Sequence, residues 1–420
     1  MEADQFAHND DQGYEPPSYW QETTPSLALT DELPSTCEVA VVGGGMIGSA
    51  LGYQLARAGV KTVLLERRRL AQEATGRNGG FVSLGLTEPY PAACARLGDE
   101  TARAVLTLTR ENQVLLRHVL VEEQIACDYR EPGSISLALN DPQLTVLEQA
   151  VTMLRTEGVV AHLLDREQMR EHIKTPLGQT ILGGLLRPEN GVVHPVRLVQ
   201  GLVAAAQRYG LQSCAATVQQ IIPQHGGVIV QTTRGTLRAA TVIVAVNAWT
   251  GELVPQLAPL ITPVRGQMLA YAPPPPVFST SLSASWTPTG EYWQQRDDGT
   301  IVLGGCRAAA PDREVGMHPN QPTPEVQTAL EQIVPHLFPA LQGLQVVKRW
   351  AGMMAFTPDY LPIVDHIPDR PDLIVVGGFC GHGMPFGLRL GQLLAEAVTS
   401  HTWPDALLPL RLSRGTLLAQ

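Results

Sequence analysis

A glycine cluster at residues 43–48 (GGGMIG) has the spacing that lets a backbone turn tightly and approach a ligand closely. It follows an apolar stretch, residues 38–42, that predicts a strand, and it opens a predicted helix over residues 46–58. A second predicted strand, residues 61–65, ends next to the acidic Glu66. A strand, a G-x-G-x-x-G turn, a helix, a strand and an acid about 20 residues further on are the signature of a dinucleotide-binding fold.

Each residue type in this unit has a chemical reason. Gly43 permits the tight turn, Gly45 lets the backbone approach a pyrophosphate, and Gly48 lets the helix pack against the strand. The N–H groups and the positive dipole at the start of the helix face the phosphates. Glu66 would accept hydrogen bonds from ribose hydroxyls. A turn that only needs small residues would explain the glycines but not Glu66, so the unit predicts a bound dinucleotide.

The composition narrows the class of protein. The 420 residues are enough for two or three units with cores of their own, and 44% are hydrophobic. A formal net charge of −10 gives no support for binding nucleic acid or an anionic membrane. The six cysteines are scattered without a C-x-x-C motif, which argues against a zinc site or a disulfide framework and fits a reducing compartment.

The chain has no secretory signal at its acidic, polar N-terminus and no run of 18 apolar residues, so we expect a cytoplasmic protein without membrane insertion. Residues 1–35 are polar and contain proline, which predicts an extended arm. The arm has aromatic residues at Tyr14, Tyr19 and Trp20, of which Tyr19 and Trp20 either pin it to the body or shape a substrate entrance.

Elements of nucleotide-fold type recur in the middle and at the end of the chain. The apolar residues 242–246 are typical of a strand buried on both faces. A predicted strand at 373–376 leads into a glycine loop at 377–383 and a predicted helix at 388–398. The other predicted elements are helices over 96–124, 142–157, 196–209 and 324–333 and strands over 130–139, 216–222, 228–232 and 236–240.

Seven segments make the chain resemble the D-amino-acid oxidase/glycine oxidase superfamily of FAD-dependent oxidoreductases, the DAO family. They occur in the family's order and are VVGGGMIGSALGYQLARAG, ATGRNGGF, GGLLRPENGVVHP, TVIVAVNAWTGEL, PVRGQML, RWAGMMAFTPDYLPIV and VVGGFCGHGMPFG. The segments ATGRNGGF and PSYWQET are similar to the gamma-glutamylputrescine-oxidase-like branch. The resemblance implies an α/β (α+β overall) fold, in which an antiparallel-sheet substrate domain is inserted into a Rossmann-like FAD-binding domain. The expected division is an arm at 1–35, an FAD-binding domain at 36–95, 183–259 and 349–420, and a substrate-binding domain at 96–182 and 260–348.

FAD rather than NAD fits one dinucleotide motif at the start and one glycine loop before the last helix. The resemblance implies that residues 76–80 approach the flavin edge. It also implies that the helix starting near Pro385 points its dipole at the flavin N1/O2 edge. The expected cofactor contacts are Gly43, Gly45, Met46, Ile47, Gly48, Glu66, Arg67, Thr75, Arg77, Asn78, Gly79, Gly80, Val218, Ala245, Trp249, Gly352, Gly378, Gly381, His382, Gly383 and Met384. The FAD is expected to be non-covalent, because the sarcosine-oxidase cysteine falls near Gly352 and the segment 74–81 has no histidine.

Two positions depart from the family pattern on the substrate side. D-amino-acid and glycine oxidases hold the substrate carboxylate with an arginine at the position of Met354, and sarcosine oxidases use a lysine at the position of Pro385. The apolar replacements disfavour a simple alpha-amino acid in either pose. A third position, where sarcosine oxidases use a lysine for oxygen activation, aligns with Val302, which makes a dehydrogenase credible.

Tyr292, His382 and Met354 are the pocket candidates, while the flavin does the chemistry. Trp293 precedes a strand across the pocket, and Arg307 either recognises a remote acid or forms a surface salt bridge. The expected reaction oxidises the C–N bond of an amine or N-substituted amino acid by hydride transfer to flavin N5, followed by imine hydrolysis. The expected partners are a small-molecule amine and O2 or another electron acceptor. The alternatives are a dehydrogenase with a non-oxygen acceptor and a non-catalytic flavin-binding assembly or scaffold protein.

Overall fold

The computed structural model describes residues 15–418, in which two large β-sheets organise the chain. The strands are β1 (Thr36–Val42), β2 (Thr62–Glu66), β3 (Phe81–Val82), β4 (Ser134–Ala138), β5 (His162–Asp165), β6 (Gly183–Arg187), β7 (Gly191–Val192), β8 (Gln212–Ala215), β9 (Val218–Gln224), β10 (Gly227–Thr232), β11 (Gly235–Val244), β12 (Thr262–Tyr271), β13 (Ser281–Ala284), β14 (Glu291–Gln295), β15 (Ile301–Gly305), β16 (Val346–Phe356), β17 (Ile363–Ile367) and β18 (Arg370–Gly377). The helices are α1 (Tyr19–Glu22), α2 (Met46–Arg57), α3 (Ala74–Arg77), α4 (Tyr90–Leu97), α5 (Asp99–Glu122), α6 (Asp141–Thr156), α7 (Pro195–Arg208), α8 (Thr250–Leu253), α9 (Pro324–Leu337), α10 (Gly387–Ser400) and α11 (Gly415–Leu418).

The first sheet has the order β17-β18-β11-β1-β2-β8, with β10 and β9 continuing from β11. Its central strands pair in parallel, as the predicted nucleotide fold requires. Alternate residues of β1 enter different cores, because successive side chains of a strand point to opposite faces. Val39 and Val41 pack with helices α2, α7 and α10, whereas Ala40 and Val42 pack on the opposite face. The glycine turn after β1 is therefore held by a sheet that is buried on both faces.

Two predicted boundaries in this part of the chain were wrong. Residues 236–240 and 242–246 were predicted as separate strands, but β11 runs through both because Thr241 keeps its place in the ladder opposite Val39. The predicted helix over 96–124 is divided at Gly98, whose φ of +81° ends α4 before α5 begins. Glycine adopts this left-handed conformation readily, so the break needs no other residue.

The second sheet has the order β16-β12-β15-β14-β13-β4-β6-β5 and is antiparallel except for the parallel pair of β13 with β4. Strands β6 and β16 both pair within it. The predicted division of the chain placed residues 183–187 and 349–356 with the first sheet instead. The inserted, mainly antiparallel sheet is confirmed, and its edge strand β16 carries the Trp350-to-Met354 segment to the boundary between the sheets.

The described part of the N-terminal arm is pinned to the body. Trp20 of α1 is fully buried, and the backbone of Thr30 forms a parallel bridge with Cys214 of β8. Tyr14 and the rest of residues 1–14 lie outside the described residues. Within residues 15–418, no helix is long and apolar enough to cross a membrane.

Candidate active site

A cavity of about 950 Å³ lies between the two sheets. At one end it meets Val218 and Trp249 beside the first sheet, and at the other it meets Tyr292 and Met354 of the second. The glycine turn lies between these ends. The predicted cofactor residues all line this cavity except Gly48, Gly80 and Gly378.

The start of α2 is shaped for a phosphate group. Gly45 is the N-cap of α2 and has no side chain to cap it. A Cβ built on Gly45 meets only the Thr75 hydroxyl, at 3.1 Å, so the space beside its backbone is open to the cavity. A Cβ on Gly48 would lie 1.8 Å from the carbonyl oxygen of Gly43, which explains why Gly48 is a packing residue outside the wall. The free N–H groups and helix dipole at this end favour an anion.

Glu66 reaches the cavity from the end of β2. Its carboxylate accepts hydrogen bonds from the backbone N–H groups of Gly44, at 2.8 Å, and Arg68, at 2.9 Å. A carboxylate has about four lone-pair sites, so two remain for ribose hydroxyls. The backbone contacts fix the carboxylate where the sequence signature requires it.

The end of the cavity beside the first sheet contains an arginine stacked on an aromatic ring. The guanidinium of Arg67 lies over the Trp249 ring, 4.4 Å from its centroid, and also pairs with Glu73 at 2.9 Å. Asn247, beside Trp249, accepts a 3.1 Å hydrogen bond from the N–H of Gly378. Gly378 therefore joins the end of β11 to the C-terminal loop and contributes no wall to the cavity.

The segment from Thr75 to Gly80 is held by its own polar groups. The Thr75 hydroxyl accepts from the N–H of Met46 at 3.0 Å, and the Asn78 side chain accepts from the N–H of Gly80 at 2.8 Å. Arg77 was predicted to contact the cofactor, but its guanidinium donates to backbone carbonyls, including that of Ala351 at 2.8 Å. Burial lowers the pKa of Arg77 to about 10, and the side chain fastens the segment to β16.

Gly352 and Gly381 bring the backbone close on both sides of this segment. A Cβ on Gly352 would lie 2.7 Å from the Arg77 Cβ, and one on Gly381 would lie 3.2 Å from the Met354 sulfur.

The predicted helix start near Pro385 was slightly early, because a 3₁₀ turn (Met384–Phe386) precedes α10. Two N–H groups in the first turn of α10, those of Leu388 and Arg389, donate to the Asn112 side chain at 2.9 and 3.1 Å. The loop 381–384, and not those groups, faces the cavity.

One face of the second sheet forms the opposite wall of the cavity. Paired residues on adjacent strands share a face, and the register places Ser136 of β4, Ser283 of β13 and Tyr292 of β14 in one row. Tyr292 contacts Phe81 edge to face, with ring centroids 5.6 Å apart. Burial raises the pKa of Tyr292 to about 12, so the phenol is neutral at pH 7.

His382 faces the cavity from the C-terminal loop. Burial, with the nearby charge of Arg187, lowers the pKa of His382 to about 4. Its Nε2 atom is buried and has no hydrogen-bond partner in the part of the chain that the structure describes. The side chain is therefore a neutral imidazole at pH 7.

Of the remaining residues singled out from the sequence, one lines the cavity and two do not. Arg307 lines the cavity with its guanidinium 4.9 Å from the Phe356 ring centroid, and within residues 15–418 it forms no ion pair. Trp293 does not reach the cavity, because it points to the other face of β14 and packs against Phe278. Val302 is fully buried and lies outside the wall.

A side lobe of the same cavity extends between the second sheet and α4, α5 and α6. Its apolar lining includes Leu84, Tyr90, Leu106, Leu147, Leu154 and Leu185. Sequence reasoning missed this lobe and the polar residues beside it, which are Ser134, Ser136, Arg187, Ser281 and Ser283. The alternation of serine with apolar residues in 134–138 and 281–284 was the available signal, since it marks one polar face on each strand.

Comparisons with known proteins agree with this geometry. Residues 38–397 match the DAO family, described as FAD dependent oxidoreductase. Gamma-glutamylputrescine oxidoreductase of Escherichia coli (strain K12) is 29% identical over 400 residues, covering 90% of this chain and 88% of that protein. Glycine oxidase of Geobacillus kaustophilus (strain HTA426) is 25% identical over 385 residues, covering 90% and 97%.

Two solved structures show the same fold. The crystal structure of glycine oxidase from Geobacillus kaustophilus superposes with a TM-score of 0.75 at 23% identity, covering 91% of this chain and 99% of that chain. L-proline dehydrogenase from P. horikoshii superposes with a TM-score of 0.78 at 21% identity, again covering 91% and 99%.

Proposed function

This chain belongs to the DAO family of FAD-dependent oxidoreductases, and we propose that it oxidises the C–N bond of an amine or an N-substituted amino acid. The observation that carries the proposal is the continuity of the cavity. The backbone of Gly45, where a pyrophosphate fits, and the substrate-side residues Tyr292 and Met354 line the same space. FAD, when bound, accepts the two electrons that leave the substrate. Relatives named for gamma-glutamylputrescine and glycine support an amine or amino-acid substrate.

The cavity residues fit FAD held without a covalent bond. Cys380 is a cavity-lining thiol, and burial raises its pKa. Its sulfur donates to the Gly378 carbonyl at 3.3 Å, so it is the protonated form that the surroundings stabilise. The thiolate is the reactive form of cysteine. At Gly352, where the resemblance places the attachment cysteine of sarcosine oxidases, there is no side chain.

The chain's own residues prepare the amine. Met354 and Pro385, which line the cavity, are apolar where the resemblance places the cations of related enzymes. An ammonium group moved into such surroundings loses hydration, which lowers its pKa and favours the neutral amine. Tyr292, which is neutral at pH 7, can hydrogen-bond that amine without adding charge, and the neutral His382 places no cation beside it. The apolar walls exclude water and hold the C–N bond in place.

A dehydrogenase is the second candidate, and Val302 supports it. The resemblance places an oxygen-handling lysine of sarcosine oxidases at this position. Val302 lies in β15, pairs with Ala270, and is fully buried among apolar side chains. A site without that cation favours an acceptor other than O2.

An anaerobic visible spectrum of the holoenzyme tests the proposal. The protein is titrated with glycine, sarcosine, D-alanine, D-proline, putrescine and gamma-glutamylputrescine. We expect one of them to bleach the visible absorption band of the oxidised flavin. A spectrum that none of them changes would contradict amine oxidation. Reoxidation of the bleached enzyme by air, or only by a quinone dye, then distinguishes oxidase from dehydrogenase.

A further inference from the structure

Arg187 is a half-buried cation of the cavity wall for which the described part of the chain provides no acid. It ends β6 and lines the cavity, and within residues 15–418 no carboxylate forms an ion pair with it. One of its terminal nitrogens donates to the Leu84 carbonyl at 3.2 Å. Its Nε atom is buried without a hydrogen-bond partner. Burial lowers the pKa of Arg187 to about 10, so the side chain remains charged at pH 7.

A buried charge without a partner is costly, and proteins normally pair it. The other arginines of the cavity are compensated. Arg67 pairs with Glu73 and stacks on Trp249, while Arg77 donates to several backbone carbonyls. Arg307 gains partial compensation from the face of the Phe356 ring. Arg187 has neither a carboxylate nor an aromatic ring over its guanidinium in the described chain.

The neighbours of Arg187 supply a second donor. Ser134 is directly opposite Arg187 in the β4–β6 pairing, and both residues line the cavity. The Ser134 oxygen accepts from the Asn190 side chain at 2.7 Å. Its own O–H finds no acceptor in the described range, so it is available to a ligand. An arginine edge beside a hydroxyl donor is suited to a carboxylate, which takes two parallel N–H bonds from the guanidinium.

We propose that Arg187, assisted by Ser134, binds a carboxylate that the substrate carries far from the C–N bond being oxidised. The register sets the separation. Arg187 lies on β6 and Tyr292 on β14, three strands apart in the order β14-β13-β4-β6. At a strand spacing of about 4.8 Å, three steps across the sheet separate the two strands by about 14 Å. Arg187 also lies two residues beyond Leu185, which shares the row of Tyr292. The substrate is therefore an elongated amine whose chain crosses the serine-lined face and whose anionic end meets Arg187.

The position of the amine in this inference rests on the proposed function, but anion binding at Arg187 does not. Binding is therefore measured first, with carboxylates that cannot be oxidised as amines. Hexanoate and hexanamide have the same length and differ in charge. Each is titrated into the oxidised holoenzyme, and its dissociation constant is measured by isothermal titration calorimetry, which does not require the ligand to contact the flavin. We expect hexanoate to bind the wild type about 10- to 100-fold more tightly than hexanamide, as charge-assisted hydrogen bonds predict.

Three variants assign the preference to one side chain. Arg187→Gln should abolish the preference for hexanoate, and Arg187→Lys should keep part of it because the charge remains. Arg307→Gln should keep all of it. Arg307→Gln excludes the other cavity arginine that has no carboxylate partner within residues 15–418, and Arg187→Lys tests Arg187 itself if Arg187→Gln fails to fold. Equal binding of hexanoate and hexanamide by the wild type, a full preference retained in Arg187→Gln or loss of the preference in Arg307→Gln overturns the proposal.

Turnover of amines of different chain length tests the distance between the anion site and the C–N bond that is oxidised. The kcat/KM of ω-amino acids from glycine to 8-aminooctanoate is divided by that of the n-alkylamine with the same number of carbons. We expect this ratio to rise with chain length in the wild type and to stay flat in Arg187→Gln. If no amine is oxidised but hexanoate still binds through Arg187, the proposed function fails and the anion site stands. A ratio that is independent of length in an active wild type overturns the remote position of the carboxylate.

Discussion

The indole Nε1 of Trp20 donates a 2.6 Å hydrogen bond to the backbone carbonyl of Asn78, which joins the N-terminal arm to the segment beside the cavity. Two other residues of the arm reinforce this contact. The Ser18 hydroxyl donates to the Gly76 carbonyl, and the Gln21 amide donates to the Ala71 carbonyl at 3.0 Å. The arm is therefore a clamp on the segment that the resemblance places at the flavin edge.

Trp20→Phe should weaken FAD binding while leaving the fold intact. The ring stays buried, but the hydrogen bond to Asn78 is lost, at a cost of about 1 kcal/mol or about fivefold in affinity. The dissociation constant of FAD is measured by fluorescence quenching on apoprotein. Tyr19→Phe is the matched control, because the Tyr19 hydroxyl donates to Asp298 and not to the clamped segment. Equal FAD affinity in the two variants would contradict the clamp.

Glu66→Gln should weaken FAD binding by about 10- to 100-fold, because a charged acceptor for the ribose hydroxyls is lost. An amide in this position also places a donor near the N–H groups of Gly44 and Arg68. FAD content after purification and the dissociation constant measure the effect. Glu38→Gln provides the control, since Glu38 accepts the N–H of Lys61 at 2.8 Å on the exposed side of β1. If Glu66→Gln binds FAD with the same affinity as Glu38→Gln, Glu66 does not bind the ribose hydroxyls.

The dinucleotide unit could be predicted from sequence because its determinants are local. The turn at Gly43, the helix start at Gly45 and the acid at Glu66 lie within one stretch of chain, and their roles follow from backbone geometry. The same holds for the break at Gly98 in hindsight, because a positive φ is a property of one residue.

The place of Arg187 in the cavity could not be predicted in the same way, because its surroundings are formed by strands that are distant in the sequence. The residue is placed by its register with Ser134 of β4, and its isolation depends on which carboxylates are engaged elsewhere. The hydrogen-bond partners of Arg77 could not be predicted for the same reason. Its carbonyl partner at Ala351 comes from a strand more than 270 positions further along the chain.

Gly45→Ala and Gly48→Ala should fail in different ways. The new methyl group at position 45 meets only the Thr75 hydroxyl, so the protein folds but its phosphate site is blocked. The methyl group at position 48 collides with the Gly43 carbonyl, so α2 must move off the sheet. We expect near-normal thermal stability of apo Gly45→Ala with little FAD bound, and a clearly lowered Tm for apo Gly48→Ala. Full FAD occupancy in Gly45→Ala would place the pyrophosphate elsewhere.

Met354→Arg should create a carboxylate site beside the flavin end of the cavity. The Met354 side chain lies next to Gly266 and Gly381, so a guanidinium there would face the same space. We expect the dissociation constant of acetate, read from the flavin spectrum, to be at least tenfold lower for Met354→Arg than for Met354→Leu. The reason is that bidentate pairing of a guanidinium with a carboxylate contributes about 1.5–3 kcal/mol to binding. A variant that holds FAD but binds acetate no better than Met354→Leu would show that position 354 does not reach the substrate.

His194 should make the arm sensitive to acid. It is the N-cap of α7 and accepts the N–H of Arg197 at 3.3 Å, while its Nε2 contacts the hydroxyls of Thr23 and Thr24 at 3.2 and 3.1 Å. Burial, with the charges of Arg197 and Arg296, lowers the pKa of His194 to about 4 from an ordinary value of 6.5. The unfolded chain therefore binds a proton at His194 at higher pH than the folded one.

The sign of the effect follows from this difference. Between pH 6.5 and 4 the unfolded state holds more protons, so the contribution of His194 is complete above pH 6.5 and is lost as the pH falls towards 4, by about 3 kcal/mol in all. His194→Asn keeps an N-cap acceptor but does not titrate. We expect the Tm of the wild type, relative to that of His194→Asn, to fall steadily from pH 7 to pH 4. Parallel Tm profiles over that range would show that His194 is protonated equally in both states, which would remove the acid sensitivity of the arm.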